Sequence, residues 1–465
     1  MAESDPDPSP QRHSLLTTLT NHIRSTAHSL HLTHRHDTST LLSSPLSEIS
    51  GSLGDLGTLL PLLIALTATN SISLPTTLVF SGLANILTGI CFGIPLPVQP
   101  MKAIAAVAIA QGFGKEEMAS AGLFVAGGIG VLSATGLVRW FAGVVPVPVV
   151  KGIQVGTGLS LVLSAGKLYP GSEEGRWVVL LVAFLGLLGS EQVRRVPYAL
   201  VVFVVGVVAA VVSMAPAADQ TYFGIWHPHT LIPSPESFRI GVLEAGIGQL
   251  PLTTLNSVIA VTFLAEDLLP EVKTPSTTSI GLSVAAINLV GCWFGAMPVC
   301  HGSGGLAAQY KFGARSGASI IFLGSVKLLL GLFASDLTFY IFNGFPNTLL
   351  CILLIAAGLE LAKAGESLNT NGARDLEDFH KDEEQGHGSN SVVNGNFDSN
   401  LIEKKRRRWA VMFMTVAGIL AFRNDAVGFL AGMLCHWNFQ IQDWWQARQG
   451  RQQGQIRLEA TEDLL

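Results

Sequence analysis

The chain has 465 residues, of which 49% are hydrophobic and only 13% are charged. Soluble proteins carry about 25% charged residues, so this composition excludes an ordinary soluble domain and indicates a polytopic membrane protein. The net charge of −5 is spread over polar tails and loops and says nothing about a ligand. Glycine is abundant, with 49 residues, as in helices that pack closely within lipid.

The apolar segments predict an all-α protein in which about 12 to 14 spans of about 20 residues fit. Residues 1–46 lack an apolar core, so we expect a disordered cytoplasmic tail without a cleaved signal peptide. A first transmembrane repeat over 47–214 contains predicted spans at about 54–69, 74–94, 101–112, 118–141, 148–166, 177–190 and 197–214.

A polar, non-cytoplasmic loop over 215–239 separates this repeat from a second one over 240–440. Its predicted spans lie at about 241–265, 277–297, 304–311, 317–334, 344–363, 408–422 and 425–440. Within this repeat, the polar composition of 365–407 predicts a disordered cytoplasmic loop. Residues 441–465 follow as a cytoplasmic C-terminal tail.

Seven spans, a loop and seven further spans predict a seven-plus-seven architecture with two half-helices. Because seven is odd, the second repeat would be inverted in the membrane. With both termini cytoplasmic, the basic clusters Lys404–Arg408 and Arg194–Arg195 fall inside, as the positive-inside rule requires. Lys167 and Arg176 fall on the opposite side.

Two short segments interrupt the apolar helices at matching places in the two halves. Pro97–Ala103 and Pro298–Gly305 each follow an apolar segment, stop the helix with proline and precede a new helix of small residues. Lipid cannot satisfy the exposed backbone N–H groups, so such breaks survive only where they line a cavity in the protein. A pair of breaks indicates the binding site of a transporter, and the positive ends of the new helices predict an anionic ligand.

The first break contributes several candidate ligands for this anion. Pro100 suits the first turn of a new helix, where its missing N–H costs nothing. The N–H groups of Met101, Lys102 and Ala103 are then expected to be free for the anion. Gln99 can donate from its side-chain amide, and Lys102 can either bind the anion or extend to the inner surface. The alternative interpretation of this segment is a structural kink.

The second break offers backbone and hydroxyl donors. Gly302, Gly304 and Gly305 let the backbone approach a ligand closely, and Ser303 can donate from its hydroxyl. His301 aligns with Pro100, and its position is compatible with a ligand, a proton carrier or a structural histidine.

Polar residues in the helices that precede the breaks complete the candidate site. Asp55 and Gln249 occupy equivalent positions in the two halves, with Thr58 and Asn256 nearby. A carboxylate within a span is costly and is therefore a functional candidate, so Asp55 or Glu244 can carry a coupling proton. Asp55 can alternatively cap the first span. Other charged residues are expected near span ends, solvated or paired, namely Lys327, Asp336, Glu360 and Asp425.

The remaining motifs favour packing over chemistry. The five cysteines read as buried free thiols, and the sequence contains no metal-ligand cluster. Gly152–Gly158 resembles a nucleotide-binding loop but lacks a preceding soluble strand, which favours helix packing. We therefore expect no metal, no cofactor, no nucleic-acid partner and no enzymatic activity.

The motifs taken together resemble one family, the molybdate transporters of plants, algae and fungi within the sulfate permease superfamily. The segments that carry this resemblance are Ser52–Thr58, Pro97–Ala106, Pro146–Gln154, Gln249–Ser257 and Cys300–Tyr310. The resemblance implies molybdate uptake, a fold with core and gate subdomains, and a substrate site between the starts of spans 3 and 10. It also implies that the C-terminal STAS domain of sulfate permeases is lacking, since about 25 residues follow the last predicted span.

The function expected from these features is secondary active transport of molybdate by alternating access, coupled to protons. A transporter of sulfate or another tetrahedral oxyanion is the nearest alternative, because both ions are tetrahedral dianions. A passive anion channel and a transport-inactive sensor are alternatives from other classes.

The membrane and the assembly are less constrained. Asp37–Leu42 matches an acidic di-leucine sorting pattern, which would favour a vacuolar or endosomal membrane, although such patterns arise often by chance. The plasma membrane is the location that we expect. A homodimer is compatible with the resemblance.

Overall fold

The computed structural model describes residues 33–54, 56–168, 198–213, 223–369 and 391–462, with scattered positions between 178 and 189. In the first half, the helices are α1 over 33–43, α2 Pro45–Ser52, α3 Leu56–Ala68, α4 Leu74–Phe92, α5 Lys102–Gln111, α6 Lys115–Ala134, α7 Val138–Val144, α8 Val147–Leu168 and α9 Tyr198–Ser213. In the second half, they are α10 Pro235–Leu268, α11 Thr277–Gly291, α12 Ser303–Lys311, α13 Ala318–Phe333, α14 Ser335–Asn343, α15 Asn347–Ala362, α16 Ser391–Phe422 and α17 Asp425–Glu462.

Many of these helices are long and apolar enough to cross a membrane. Among the described residues, six helices meet that condition, or seven if α13 and α14, which are bent by 96°, form one span. Parts of α3, α5 and α9 are shorter apolar helices. The membrane-protein class is confirmed, and the predicted half-helix at the first break is the ten-residue α5. The predicted span at 177–190 lies largely outside the described residues.

Both predicted breaks are present, and two short strands form at them. Strand β1 is Val98–Pro100 and β2 is Val299–His301, and they pair antiparallel with Gln99 opposite Cys300. The outer pairs of the register are Val98 with His301 and Pro100 with Val299. This register is symmetric about its centre, as the predicted inverted repeat requires. The repeat itself remains a prediction.

An asparagine from the preceding helix holds each strand. Asn85 on α4 accepts the Val98 N–H at 2.7 Å, and Asn288 on α11 accepts the Val299 N–H at 2.7 Å. Both side chains are buried. A strand with so few neighbours leaves backbone groups unpaired, and a buried unpaired N–H costs about 1–3 kcal/mol. The two asparagines satisfy these groups where lipid and water cannot.

The helices pack into two groups around this crossing. The first group, α4–α6 and α10–α13 with both strands, is organised by the close pairs α4–α13 and α6–α11. The second group, α8 and α15–α17, is organised by α8–α15, α8–α16 and α16–α17. The division corresponds to the expected core and gate subdomains. The half-helix α5 packs against α8, so the break lies next to the boundary between the groups.

Glycines allow the helix pairs to approach closely. A Cβ on Gly324 would lie 2.6 Å from the Gly82 carbonyl oxygen across α4–α13. A Cβ on Gly358 would lie 2.5 Å from the Gly158 carbonyl oxygen across α8–α15. Because Gly152 and Gly156 on α8 pack likewise against Thr415 and Ile419, the predicted packing role of Gly152–Gly158 is confirmed.

The prediction of a disordered tail over 1–46 is wrong for its last residues. Residues 33–43 form α1, and α2 follows after one residue. Asp37 accepts the Gly317 N–H at 2.9 Å, and Glu48 accepts the Arg315 N–H at 3.0 Å. These carboxylates dock the segment on the turn before α13, a long-range interaction that composition cannot reveal. Residues 1–32 lie outside the described part of the chain.

Two predicted loops also contain regular structure. In the 215–239 loop, Pro235 begins α10, which Ser234 caps by accepting the Ser237 N–H at 3.2 Å. In the 365–407 loop, a 3-10 helix covers Lys363–Asn369 and α16 begins at Ser391. Helix α16 packs on α8 and α17, and this packing stabilises a polar segment whose composition predicts disorder. Residues 370–390 lie outside the described part. The predicted C-terminal tail continues α17 to Glu462.

Candidate functional site

The two half-helices begin at the β1–β2 crossing. Gly93 directly follows α4, and Gly295 directly follows the 3-10 turn after α11; both are in the left-handed region, with φ values of 65° and 74°. Glycine adopts this conformation without the steric cost of a Cβ, so each chain can leave its helix abruptly and enter its strand. The strands then deliver the N-termini of α5 and α12 to the same region.

The N-terminus of α5 is occupied by protein groups. Met101 donates its N–H to the Pro298 carbonyl at 2.9 Å. Ala103 and Ile104 donate theirs to Oε1 of Gln249, at 3.0 and 3.3 Å. The prediction that the Met101 and Ala103 N–H groups are free is therefore wrong. Gln249 acts as a neutral cap, because its Oε1 lies where an oxygen of a bound anion would accept these N–H groups.

The N-terminus of α12 is more open. Ser303 donates its hydroxyl to Oδ1 of Asn256 at 2.9 Å. Gly304 is exposed, and no described atom lies within 4 Å of the position a Cβ would take there. The first turn of α12 can therefore be reached by a ligand at Ser303 and Gly304.

Gln99 lies between the two breaks and carries an unsatisfied donor. Its side chain is 2% exposed and packs directly on Gly302 and Gly305, where a Cβ would collide with the amide group. Its Nε2 has no hydrogen-bond partner among the described residues. Buried polar groups nearly always have partners, so this amide N–H beside the α12 N-terminus is a candidate ligand donor.

Helix α10 departs from regular geometry on both sides of Gln249. Residues Val242–Gly246 and Thr253–Ile259 are π-helical. Such segments are rare in proteins as a whole, but they occur often at functional sites. The second one carries Thr253, which accepts from Nε2 of Gln249 at 2.9 Å, and Asn256, which holds Ser303. The irregular turns thus place side chains at both half-helix N-termini.

His301 faces another part of the molecule. Its Nε2 lies 3.0 Å from the Ser283 hydroxyl on α11, and its ring packs edge-on against Phe92 at a centroid distance of 6.0 Å. The neighbouring Cys300 accepts from the Ser257 hydroxyl at 3.2 Å. Its ring is buried against α11 and α4, contacts that are compatible with a structural histidine, while its Nδ1 has no hydrogen-bond partner among the described residues.

The remaining predicted site residues are distributed unevenly. Pro100 and Met101 are buried, and Lys102 is partly exposed at the start of α5. Glu244, on α10, lies beside the end of α5. Its Oε2 accepts from Gln111 at 2.9 Å and from Asn424 at 3.1 Å. Asp55 and the side chain of Thr58 lie outside the described residues.

Two buried charges near the site were expected at span ends. Lys327 is 5% exposed, and its Nζ lies 3.5 Å from the carbonyl oxygen of Val98 in β1. Asp425 is 1% exposed and packs against Gly248, next to Gln249. Lys327 had a signal in the sequence, since it stands in the middle of an apolar segment. The position of Asp425 had no such signal, because it follows a short turn and reads as a helix start.

Two cavities flank this region without including it. One, of about 460 Å³, lies by the start of α4 and is lined partly by Trp226, His227 and Asp336. The other, of about 570 Å³, lies by the end of α4 and is lined partly by His36, Phe92 and Lys273. Within the described ranges, no group of three or more His, Cys, Asp or Glu side chains could hold a metal ion.

Two solved transporter structures share this arrangement of helices. The transmembrane domain of the cyanobacterium bicarbonate transporter BicA has a TM-score of 0.53 at 14% identity, covering 83% of this chain and 96% of that chain. Murine Slc26a9, in the inward-facing state, has a TM-score of 0.57 at 12% identity, covering 86% and 68%. At these identities the likeness shows the fold alone, which this chain shares with these membrane transporters.

The sequence defines the family within this class. The family described as "Molybdate transporter of MFS superfamily" matches residues 47–161 and 241–361. Molybdate transporter 2 of Arabidopsis thaliana is 40% identical over 377 residues, covering 71% of this chain and 81% of its own. Molybdate transporter 1 of Chlamydomonas reinhardtii is 33% identical over 502 residues, covering 83% and 90%. The chain belongs to the molybdate transporter family.

Proposed function

We propose that this protein is a secondary active transporter of molybdate that works by alternating access and is coupled to protons. The observation that carries the proposal is the β1–β2 pairing, which brings two half-helix N-termini together beside the unsatisfied amide of Gln99. Family membership supports molybdate over other tetrahedral oxyanions.

The dianion would bind between α5 and α12 with neutral donors. One of its oxygens would replace Oε1 of Gln249 at the N–H groups of Ala103 and Ile104. Others would accept from Gln99 Nε2, the Ser303 hydroxyl and the backbone at Gly302 and Gly304. Partial charges at two helix ends favour an anion without the tight ion pairs that would slow its release. Lys327, behind β1, adds positive potential without direct contact.

The transport cycle would move one helix group against the other. The proposed site would lie beside the packing of α5 from the first group against α8 from the second, so relative movement would expose it to alternate sides. A proton taken up with the dianion would offset part of its charge, with Asp55 and Glu244 as carriers. The inverted seven-plus-seven repeat and the cytoplasmic position of both termini belong to this proposal.

Replacing Ser303 by Ala tests the site. Hydrogen bonds to charged groups contribute about 1.5–3 kcal/mol, so we expect KM for molybdate uptake to rise about 10- to 100-fold. Ser325→Ala is the matched control, because this hydroxyl on α13 donates only to the Ile321 carbonyl of its own helix among the contacts described. Unchanged uptake by a normally expressed Ser303→Ala protein would remove Ser303 from the site.

Simple measurements distinguish a molybdate transporter from a general oxyanion transporter, a channel and a sensor. Excess sulfate should leave uptake of trace molybdate largely intact, and strong competition would favour a general oxyanion transporter. Uptake should rise when the external pH is lowered. A current independent of the proton gradient would indicate a channel, and binding without flux would indicate a sensor.

The plasma membrane is the proposed location, and a homodimer the proposed assembly. Within the sorting pattern Asp37–Leu42, Asp37 is buried and accepts a backbone N–H from Gly317. Leu41 and Leu42 are exposed, so Asp37 is the part of the pattern that sorting factors would not reach, and its burial favours the plasma membrane. Imaging of a fluorescent fusion, with Leu41 and Leu42 replaced by Ala as the comparison, tests this location.

A further inference from the structure

A second polar junction lies away from the anion site, where α5, α10 and α17 meet. Glu244 on α10 accepts from Gln111 at the end of α5 and from Asn424 before α17. Gln111 also donates to the Arg423 carbonyl. These bonds join helices of the first group to the start of α17 in the second group. Asn424 additionally caps α17 by accepting the Val427 N–H at 3.0 Å.

Asp425 follows Asn424 and lies on the buried side of this polar junction. It is 1% exposed, and its Oδ2 has no hydrogen-bond partner in the part of the chain that the structure describes. Its backbone packs so closely on α10 that a Cβ on Gly248 would lie 2.9 Å from the Asp425 carbonyl carbon. Gln249, the cap of α5, is the next residue. The carboxyl group is thus enclosed between the two helix groups, beside the residue that precedes Gln249.

The charged groups around Asp425 do not neutralise it. Glu244 on α10 is itself negative and faces Asn424, and Arg423 in the turn is exposed. On the other helices packed against α17, Lys151 of α8 donates to Ser367 and Arg407 of α16 pairs with Asp443. An ionised carboxylate buried without a partner is strongly unfavourable. The closed α10–α17 contact therefore favours the protonated acid.

We propose that Asp425 is a proton-binding residue of the transport cycle, a proposal that rests on the proposed proton-coupled function. With both termini cytoplasmic, the turn before α17 faces outward. The carboxylate would take a proton from the external side when α10 and α17 are apart. It would carry this proton as the neutral acid while they are packed, and lose it to the cytoplasmic side when the anion leaves inward, after which the charged carboxylate favours reopening of the contact. One proton is bound and one is released per cycle, and no bond other than O–H is formed or broken.

Purified protein in proteoliposomes allows the test, with radioactive molybdate as the probe. Asp425→Asn mimics the protonated acid with nearly the same shape. We expect it to exchange internal for external molybdate at a rate close to that of the wild type. An imposed pH gradient should no longer drive accumulation, whereas one coupled proton gives the wild type about tenfold for each pH unit. Asp443→Asn, an exposed carboxylate further along α17, is the control and should behave as the wild type.

The other outcomes are distinguishable. Accumulation by Asp425→Asn that still follows the pH gradient would overturn the proposal. Loss of exchange as well, in a protein with a normal elution profile, would assign Asp425 a structural role and also overturn it. If the wild type itself exchanges no molybdate, the proposed function fails first.

Discussion

At the level of single residues, the proposed anion site depends on Gln249, which occupies the α5 N-terminus. Its Oε1 accepts two backbone N–H groups, and its Nε2 is anchored to Thr253. A side-chain amide supplies an acceptor without a charge, so it can satisfy these N–H groups while the site is empty and yield to a dianion. This dual requirement explains why a neutral residue occupies the position.

Replacing Gln249 by Glu should therefore block transport while preserving the fold. A carboxylate keeps both N–H bonds and is favoured by the helix dipole, but it repels the dianion from the same donors. We expect molybdate uptake to fall by about tenfold or more, since like charges in contact cost several kcal/mol. Gln440→Glu on the exposed part of α17 is the control. Normal uptake by Gln249→Glu would show that the anion binds elsewhere.

Two carboxylates outside the membrane make the docking of α1 and α2 sensitive to pH. Burial raises the pKa of Asp37 from 3.8 to about 6, although the Gly317 N–H bond opposes the shift. Burial likewise raises the pKa of Glu48, against the Arg315 N–H bond. The titratable groups near Asp37 are His34, His36 and Glu48, and His36 also lies near Glu48.

The docked segment should tighten as pH falls. A raised pKa means that the docked state binds more protons than the undocked state between about pH 3.8 and 6. The resulting stabilisation is complete below this window and is lost as pH rises through about 6. Hydrogen exchange of residues 33–52, corrected for intrinsic rates, should be slower at pH 5 than at pH 7.5. Asp37→Asn should reduce this difference, and an undiminished difference would exclude Asp37 as its source.

At the scale of elements, two features determine how the helices meet. Helix α10 carries Gln249 to α5 and Asn256 to α12, and π-helical turns lie on both sides of Gln249. Glycines then set the spacing between helices. On α8, Gly158 faces the backbone of α15, whereas Gly166 is exposed and no described atom lies within 4 Å of its Cβ position.

Replacing Gly158 by Leu should destabilise the protein, because the side chain would meet the Gly358 carbonyl and the Ala362 N–H. Overpacking of this kind costs about 1–3 kcal/mol or more. The midpoint of thermal unfolding in detergent should therefore fall. Gly166→Leu, on the same helix, should leave it nearly unchanged. Equal midpoints for the two variants would mean that α8 and α15 are less tightly packed than the structure indicates.

For the whole molecule, the symmetric strand register and the two helix groups suggest how movement of one group against the other would act on the proposed site. The β1–β2 pairing ties both breaks to the first group, so the two half-helices move as one body. The Glu244 junction connects that body to α17 through Gln111 and Asn424. If alternating access separates the groups, this junction must open in every cycle.

Cross-linking the junction should stop transport. In a Cys91→Ser background, which removes an exposed thiol, Gln111→Cys and Asn424→Cys place two thiols where both side chains now reach Glu244 Oε2. A short bifunctional thiol reagent should abolish uptake, and reduction should restore it. Each single variant serves as its control. Full uptake in a demonstrably cross-linked protein would mean that α5 and α17 do not separate.

The membrane class, the two breaks, most helix positions and the family could be predicted from the amino-acid sequence. These depend on local composition and on proline, glycine and apolar spacing, which act over a few residues. The tertiary structure decided which groups occupy the α5 N-terminus, that His301 faces Ser283, and that Asp37, Lys327 and Asp425 are buried. Each of these depends on partners far away in the chain, such as Gly317 for Asp37, and burial is a property of the packed helices that no local pattern encodes.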